Sequence, residues 1–456
     1  MPAGTGKTHL VAAMTAIAEE SSLKVLVLTH THAGIDAIRS RLVAFGVSLK
    51  HVHIDTITGW AFDLVRAYPT IAGINVPEEP DWTRSSDYVT GAARVAASHA
   101  IRDMHAARFD LFVVDEYQDC NGAQHQLVLS IAEAIPRTCV LGDRLQGIFD
   151  FRGQRLVDWD TDVFPRFPLY PQVHLPHRWN GHNEALGQWL IGIRPALLQG
   201  QPIDLAAVRV DGFTWGALDQ KALDKTAFST RPDGESVLIL GQWEQDVDDL
   251  ARRLKGMYGV MENVQGDFMV GFLNQIDDAQ PSQYACLLAH FAKKCFAGLA
   301  GINDAVLKKL EAGKGVGNLK RRGLDGVLSA LDTLMESPSL AQLAATMSAF
   351  DVADAARLFR REAWRDVRRS IDRAVPSGLT TVSALAGIRD TLRHSGRRPS
   401  RRVVSRTVLV KGLEYDHVIV ANAGRLTSSR NLYVALSRAR KTLTVYSPAS
   451  VLTYGN

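Results

Sequence analysis

The sequence predicts an α/β protein built on parallel sheets. Short runs of consecutive apolar residues recur along the chain, too apolar on both faces for half-exposed strands. Longer segments with a helical apolar period lie between them, and that alternation is the pattern of strand–helix–strand units. The 456 residues are 46% apolar and 22% charged, the balance of a packed globular protein; this excludes wholesale disorder, a collagen and a disulfide scaffold. At roughly 150 residues per domain the length allows about three domains.

Taken in order, Val25 to Leu28, Leu111 to Val114, Val140-Leu141, Val237 to Leu240, Val418 to Val420 and Leu443 to Val445 are predicted as buried strands. Leu10 to Glu20 and Asn183 to Ile193 are predicted as helices. From about Val270 to Arg373 the pattern is helix-rich with breaks at Gly313, Gly315 and Gly317, and reads as a helical insertion. Surface connections are expected near Pro77 to Pro80 and at Pro202. The net charge is only +4, so local charge says more than the total. Cys120, Cys139, Cys286 and Cys295 show no C-x-x-C spacing and read as reduced thiols of a cytosolic protein rather than metal ligands. No run approaches the ~18 apolar residues of a membrane span, and no basic-then-apolar leader is visible; a bacterial-type cytoplasm is expected.

Met1-Pro2-Ala3-Gly4-Thr5-Gly6-Lys7-Thr8 is the phosphate-loop pattern G-x-x-x-x-G-K-[ST] with Met1 in place of the first glycine. Gly4, Thr5 and Gly6 would turn backbone N–H groups toward phosphate oxygens. Lys7 would reach the β/γ-phosphates, and Thr8 would hold Mg²⁺. The helix that follows adds its N-terminal dipole. The apolar strand Leu111 to Val114 runs into Asp115-Glu116. This is a Walker B arrangement, with Asp115 in the Mg²⁺ shell and Glu116 as the base that orients an attacking water.

With Asp115-Glu116-Tyr117-Gln118-Asp119 the chain resembles the UvrD/Rep/PcrA-like superfamily 1 helicases, and that family's other motifs follow in order. Thr29 to Ala33 resembles Thr-Phe-Thr-Asn-Lys-Ala, and Asp55 to Ala61 resembles Thr-Phe-His-Ser-Phe. Leu141 to Gly153 is similar to Gly-Asp-x-x-Gln-Ser-Ile-Tyr-x-Phe-Arg-Gly. Leu175 to Arg178 resembles a segment ending Asn-Tyr-Arg. Lys411 to Asp416 matches Lys-Gly-Leu-Glu-Phe-Asp, and Leu432 to Ala439 matches Leu-Tyr-Val-Ala-Leu-Thr-Arg-Ala.

The resemblance implies two RecA-like P-loop domains with reduced helical insertions. The first would cover 1–170, with a small helical insertion about 62–108. The second would cover 171–268 and 380–456, and a helical accessory subdomain 269–379. It implies ATP and Mg²⁺ as cofactors and roles residue by residue. Gln146 would sense the γ-phosphate. Arg178 and Arg438 would be arginine fingers from the second domain, each worth about 10³–10⁵ in rate. His177 would lie against the adenine and Glu414 would bind the ribose. On the DNA side, Phe151 would stack bases, with Phe149 nearby and His30, Thr31 and Trp60 along the same track; core packing is the alternative for Trp60 and Phe149. Arg357, Arg361, Arg365, Arg369 and Arg373 recur every four residues. On one helix they would form a stripe facing phosphates, Arg361 and Arg365 among the contacts, or else a solvated face. Seven Lys/Arg and no acid between Arg393 and Lys411 extend the basic character.

The implied function is an ATP-dependent DNA helicase or single-stranded DNA translocase, 3′-to-5′, acting on single-stranded or partly duplex DNA. Two alternatives remain: a nucleic-acid-stimulated ATPase that partners a nuclease in phage defence, or a catalytically impaired DNA-binding fragment. Departures from the family pattern bear on this choice. The strand and adenine-recognition segment that precede the loop in the family lie outside the sequence, so a late start, a fragment or a degraded enzyme is expected, with weak or absent ATPase. Val408 also stands where the family has a His.

Overall fold

The computed structural model describes all residues except 79, 150–154, 172, 231–232, 264–265, 396–399 and 455–456. Two compact units emerge. One comprises 1–203, 427–440 and 453–456; the other comprises 204–426 and 441–452. These units differ from the expected boundary at 170. Residues 171–203 pack with the N-terminal part because the Arg178 N–H donates to the Gly4 carbonyl (3.0 Å). Residues 427–440 join them because the Trp179 indole donates to the Ala439 carbonyl (2.7 Å).

The first unit holds a four-stranded sheet of β1 (Val25–Thr29), β2 (Val52–Thr56), β3 (Leu111–Val114) and β4 (Thr138–Val140), in the order β2-β1-β3-β4. All three pairings are parallel. The side chains of β1 alternate between two cores, as the period of two requires. Val25 and Val27 pack with helices α1 (Lys7–Glu20) and α2 (His32–Ala44). Leu26 and Leu28 pack on the other face with α3 (Ile57–Ala67), α4 (Ser85–Ala97), α5 (His99–Arg108) and α6 (Gly122–Ala132). In α1, Val11, Ala12, Thr15 and Ala18 are buried, the one-sided spacing of a helix lying on a sheet. Helices α3 to α5 lie between β2 and β3.

The second unit holds a six-stranded sheet: β5 (Phe213–Ala217), β6 (Val237–Gly241), β7 (Gly259–Val260), β8 (Arg402–Arg406), β9 (Tyr415–Val420) and β10 (Ala439–Ser447). The order is β5-β10-β9-β6-β8-β7. The pairs β8–β6, β8–β7, β9–β6 and β10–β5 are parallel. Helices α7 (Asp267–Asp278), α8 (Tyr284–Cys295), α9 (Asp304–Glu311), α10 (Asp325–Glu336), α11 (Leu340–Asp351), α12 (Arg361–Ser377) and α13 (Thr381–Ser395) gather around a separate core. That core runs from Met269 to Leu385 and includes Phe291, Phe350 and Trp364. The α/β class with parallel sheets is therefore as the sequence predicts.

Three local readings are refined. Val316 and Gly317 turn their N–H groups onto the Asp332 carboxylate (2.7 Å each), so the glycine-rich segment there cradles a side chain of its own subdomain. The five-arginine stripe is broken, because α12 begins only at Arg361 and Arg357 lies in a short strand before it. Arg360, fully buried, donates to both Glu262 carboxylate oxygens (2.9 and 2.8 Å), to Asp248 (2.6 Å) and to Glu244 (3.1 Å); one cation ringed by carboxylates fixes the start of that helix.

Candidate active site

In a parallel sheet, ligands bind beyond the carboxyl ends of the strands. In the first unit every loop of interest leaves such an end: His30-Thr31 after β1, Asp115-Glu116 after β3 and Asp143 to Gln146 after β4. The phosphate loop reaches the same edge, because the Met1 nitrogen donates to the Gly142 carbonyl (2.7 Å).

Gly4 and Gly6 have φ of +68° and +88°, left-handed values that a side chain resists. A Cβ on Gly4 would also meet Arg178 Cβ at 2.7 Å and the Trp179 ring at 2.8 Å. The loop is tied down at several points: Thr5 Oγ1 donates to the Pro2 carbonyl (2.9 Å) and the Ala3 N–H to the Tyr433 hydroxyl (3.3 Å). No side chain caps α1, so its first N–H groups are available to an anion. Lys7 is buried, with Nζ 3.3 Å from the Pro2 carbonyl and 3.4 Å from that of Met1. Those are weak, long partners for an ammonium and easily exchanged for phosphate oxygens.

Asp115 and Asp143 are both buried, yet their ionisation moves in opposite directions. Burial and the neighbouring Glu116 raise Asp115 to about 7, against the pull of Lys7. Burial would raise Asp143 too, but the Arg194 guanidinium, Lys7 and the Gln146 amide outweigh it and hold Asp143 at about 2. Arg194 grips both Asp143 oxygens, at 3.0 and 2.6 Å, and its guanidinium lies 4.7 Å over the Tyr433 ring. Asp115 is thus a buried carboxylate short of positive charge, and Asp143 is one already supplied with it.

Glu116 has φ +56°, a strained value for a residue with a Cβ. It is kept there by its N–H on Asp115 Oδ1 (2.9 Å) and by Gln118, whose amide donates to the Glu116 carboxylate. The Gln118 carbonyl in turn accepts the Asp143 N–H (2.8 Å). One glutamine therefore couples the end of β3 to the end of β4. Gln146 donates to Asp143 (2.9 Å) and accepts from Arg438 Nη2 (3.4 Å). Arg438 is wholly buried and also donates to the Val434 carbonyl and to Ser437 Oγ (both 2.9 Å). Arg178 donates to the Ser437 carbonyl. The exposed His177 ring lies 3.4 Å from where a Gly6 Cβ would be.

The first unit therefore assembles Gly4, Thr5, Gly6, Lys7, Thr8, Asp115, Glu116, Gln146, His177, Arg178 and Arg438. Glu414, exposed before β9, belongs to the second unit. Arg194, Gln118 and Tyr433 carry the network and were not assigned roles from sequence. A signal for Arg194 existed: a lone charge inside the apolar run Trp189 to Leu198 needs a buried partner.

The DNA-contact expectations divide. Trp60 is a correction: it is 5% exposed and packs edge-on against His53 and Phe109, which leaves no ring face for a base. Core packing, the alternative reading, is its place. Phe149 is exposed and lies in the loop after Gln146. His30 Nε2 lies 3.4 Å from Cys120 Sγ, and exposed Thr31 caps α2 by accepting the Gly34 N–H (3.1 Å). Phe151 lies outside the described residues. Arg361 is half-buried and donates to the Gly256 carbonyl (2.6 Å), whereas Arg365 is exposed.

Residues 86–157, which carry β3, Asp115, Glu116, Gln118, Asp143 and Gln146, match the family model described as the UvrD/REP helicase N-terminal domain. Over that stretch the chain is similar to the UvrD/REP helicases. It is 42% identical over 53 residues to the ATP-dependent DNA helicase PcrA of Bacillus subtilis (strain 168). That stretch is 12% of this chain and 7% of the relative's length. Among solved structures, a crystal structure of Pif1 helicase from Candida albicans aligns at a TM-score of 0.37 and 12% identity, covering 98% of this chain and 90% of that one. Among the described residues no helix is long and apolar enough to cross a membrane.

Proposed function

We propose that this UvrD-like chain couples ATP hydrolysis to movement on DNA, as a helicase or single-stranded DNA translocase of 3′-to-5′ polarity, from two RecA-like motor domains. The observation that carries this reading is the hydrogen-bonded path from Glu116 through Gln118, Asp143 and Gln146 to Arg438. It links the residue that would orient the attacking water to an arginine that would meet the transferred phosphoryl group.

The residues present fit ATP and a divalent ion. The uncapped α1 terminus, the left-handed glycines and Lys7 suit a triphosphate, and Asp115 with Thr8 suits the cation. A Mg²⁺ held by Thr8 and Asp115 would neutralise charge on the phosphates. Glu116, held in one backbone conformation, accepts a proton from the attacking water. Gln146 is positioned by Asp143, so its carbonyl stays on Arg438. Arg178 and Arg438 supply positive charge where negative charge grows on the γ-phosphoryl oxygens. Arg194 keeps Asp143 ionised and so keeps Gln146 in place. Exposed His177 offers a ring against the base, and Phe149 a stacking face for DNA.

The test is ATP hydrolysis at fixed low salt with and without single-stranded DNA, followed by strand displacement from tailed duplexes of both polarities. Turnover stimulated by DNA with displacement only from 3′-tailed substrates is expected. Turnover without displacement would restrict the chain to translocation or to serving a nuclease partner. DNA binding with no turnover would replace the motor reading with that of a binding fragment.

A further inference from the structure

We propose that Cys286, His290 and Glu311, in the helical subdomain, bind one divalent transition metal of the zinc class. Cys286 and His290 are four residues apart on α8, so both side chains leave the same face one turn apart. Glu311 ends α9 and brings its carboxylate to that face, with Oε1 3.7 Å from His290 Nε2. The thiol sulfur, an imidazole nitrogen and a carboxylate oxygen all lie within 4.8 Å of one another. Among the described residues this is the group of three such side chains that converges in this way.

The donor set selects the ion. Magnesium and calcium prefer all-oxygen shells, whereas one sulfur, one nitrogen and one oxygen suit zinc and its neighbours. Zinc–ligand bonds of about 2.0–2.3 Å place tetrahedral nitrogen, oxygen and sulfur ligands roughly 3.3–3.5 Å apart, so the three atoms must close by at most about 1.5 Å. They can do so: the His290 and Glu311 side chains are about half exposed, at 48% and 57%, and turn at little packing cost. Cys286 is half-buried against the subdomain core, which anchors the cluster on one side. Three protein ligands leave a fourth position for water, the open form of a zinc site.

Binding replaces the thiol proton by the metal, and the proton passes to solvent. Burial, then the Glu311 charge, keeps the Cys286 thiol protonated without metal. The ion would pin the end of α9 to the middle of α8 and fix the packing of the subdomain at that edge. The inference is independent of the motor reading and also revises the view of all four cysteines as plain thiols.

The experiment is a cobalt(II) titration of the full chain, freed of metal by chelator and kept reduced with a phosphine. One equivalent should produce a near-ultraviolet sulfur-to-cobalt band and visible bands of tetrahedral intensity, both discharged by zinc. Cys286→Ser should abolish the near-ultraviolet band. His290→Ala and Glu311→Gln should keep it but weaken affinity by more than about 100-fold, beyond the roughly 10–100-fold that loss of an outer-sphere contact gives. Cys139→Ser, at the other half-buried thiol, should change nothing. Cobalt bound without a thiolate band, or a band that survives Cys286→Ser, would overturn the proposal. So would affinity unchanged in both His290→Ala and Glu311→Gln.

Discussion

Arg194 and Asp143 form a bidentate ion pair, Nη2 to Oδ1 at 2.6 Å and Nη1 to Oδ2 at 3.0 Å, with Asp143 wholly buried. Gln146 is tied to that pair, because Asp143 accepts from the Gln146 amide while the Gln146 carbonyl accepts from Arg438. Arg194→Met keeps most of the side-chain volume but leaves a buried charge unpaired. That should cost about 3–5 kcal/mol of stability, read by urea unfolding of the full chain. Asp143→Asn combined with Arg194→Met should recover part of the loss; equal destabilisation in the single and double variants would argue against coupling.

The same pair sets a response to acid. Asp143 titrates at about 2 in the fold, against about 3.9 in an unfolded chain. A depressed carboxylate stabilises the fold above the unfolded value and loses that contribution as pH falls through the folded one. The contribution is about 2–3 kcal/mol, so stability should fall between about pH 4 and pH 2. Arg194→Met should flatten that part of the pH–stability curve; a slope identical to the parent's would show that other carboxylates dominate it.

Gly4 has no room for a side chain. Gly4→Ala adds a Cβ 2.7 Å from Arg178 Cβ at a left-handed φ. The loop must shift, and nucleotide affinity should drop more than about tenfold, equivalent to about 1.4 kcal/mol. Binding of a fluorescent ATP analogue measures this. Unchanged affinity would mean that the loop is not the phosphate seat.

Trp60 and Phe149 should separate stability from DNA binding. Trp60→Ala removes a buried ring and should cost about 3–5 kcal/mol, with DNA affinity kept below the unfolding transition. Phe149→Ala should leave the melting temperature near the parent's and weaken single-stranded DNA binding by about 1–3 kcal/mol. Fluorescence anisotropy with a labelled oligonucleotide at one salt concentration decides between them; the reverse pattern would restore Trp60 to the DNA track.

The strands that form both sheet centres were legible because burial on both faces leaves long apolar runs. Val25 to Leu28 and Val237 to Leu240 became the buried strands β1 and β6. Strands with mixed faces were not legible: β2 alternates and β8 begins and ends in arginine. The phosphate loop and the acidic strand end were legible because their chemistry demands fixed residue types at fixed spacing. Arg194 was not, since its partner lies 51 residues away in sequence and no local pattern records a buried pair. Trp60 was misplaced because a motif position records alignment, not exposure; His53 and Phe109 decide its environment from other elements. Arg357 was assigned to the α12 face by period alone, whereas the short strand before that helix breaks the register.

The central claim is that Glu116 orients a water for ATP hydrolysis in a DNA-driven motor. The measurement that tests it most directly is steady-state ATP turnover with saturating single-stranded DNA, comparing the parent with Glu116→Gln. The account predicts turnover in the parent that rises with DNA and falls by at least about 10²-fold in the variant, with ATP affinity retained. Parent turnover that Glu116→Gln leaves intact would contradict it.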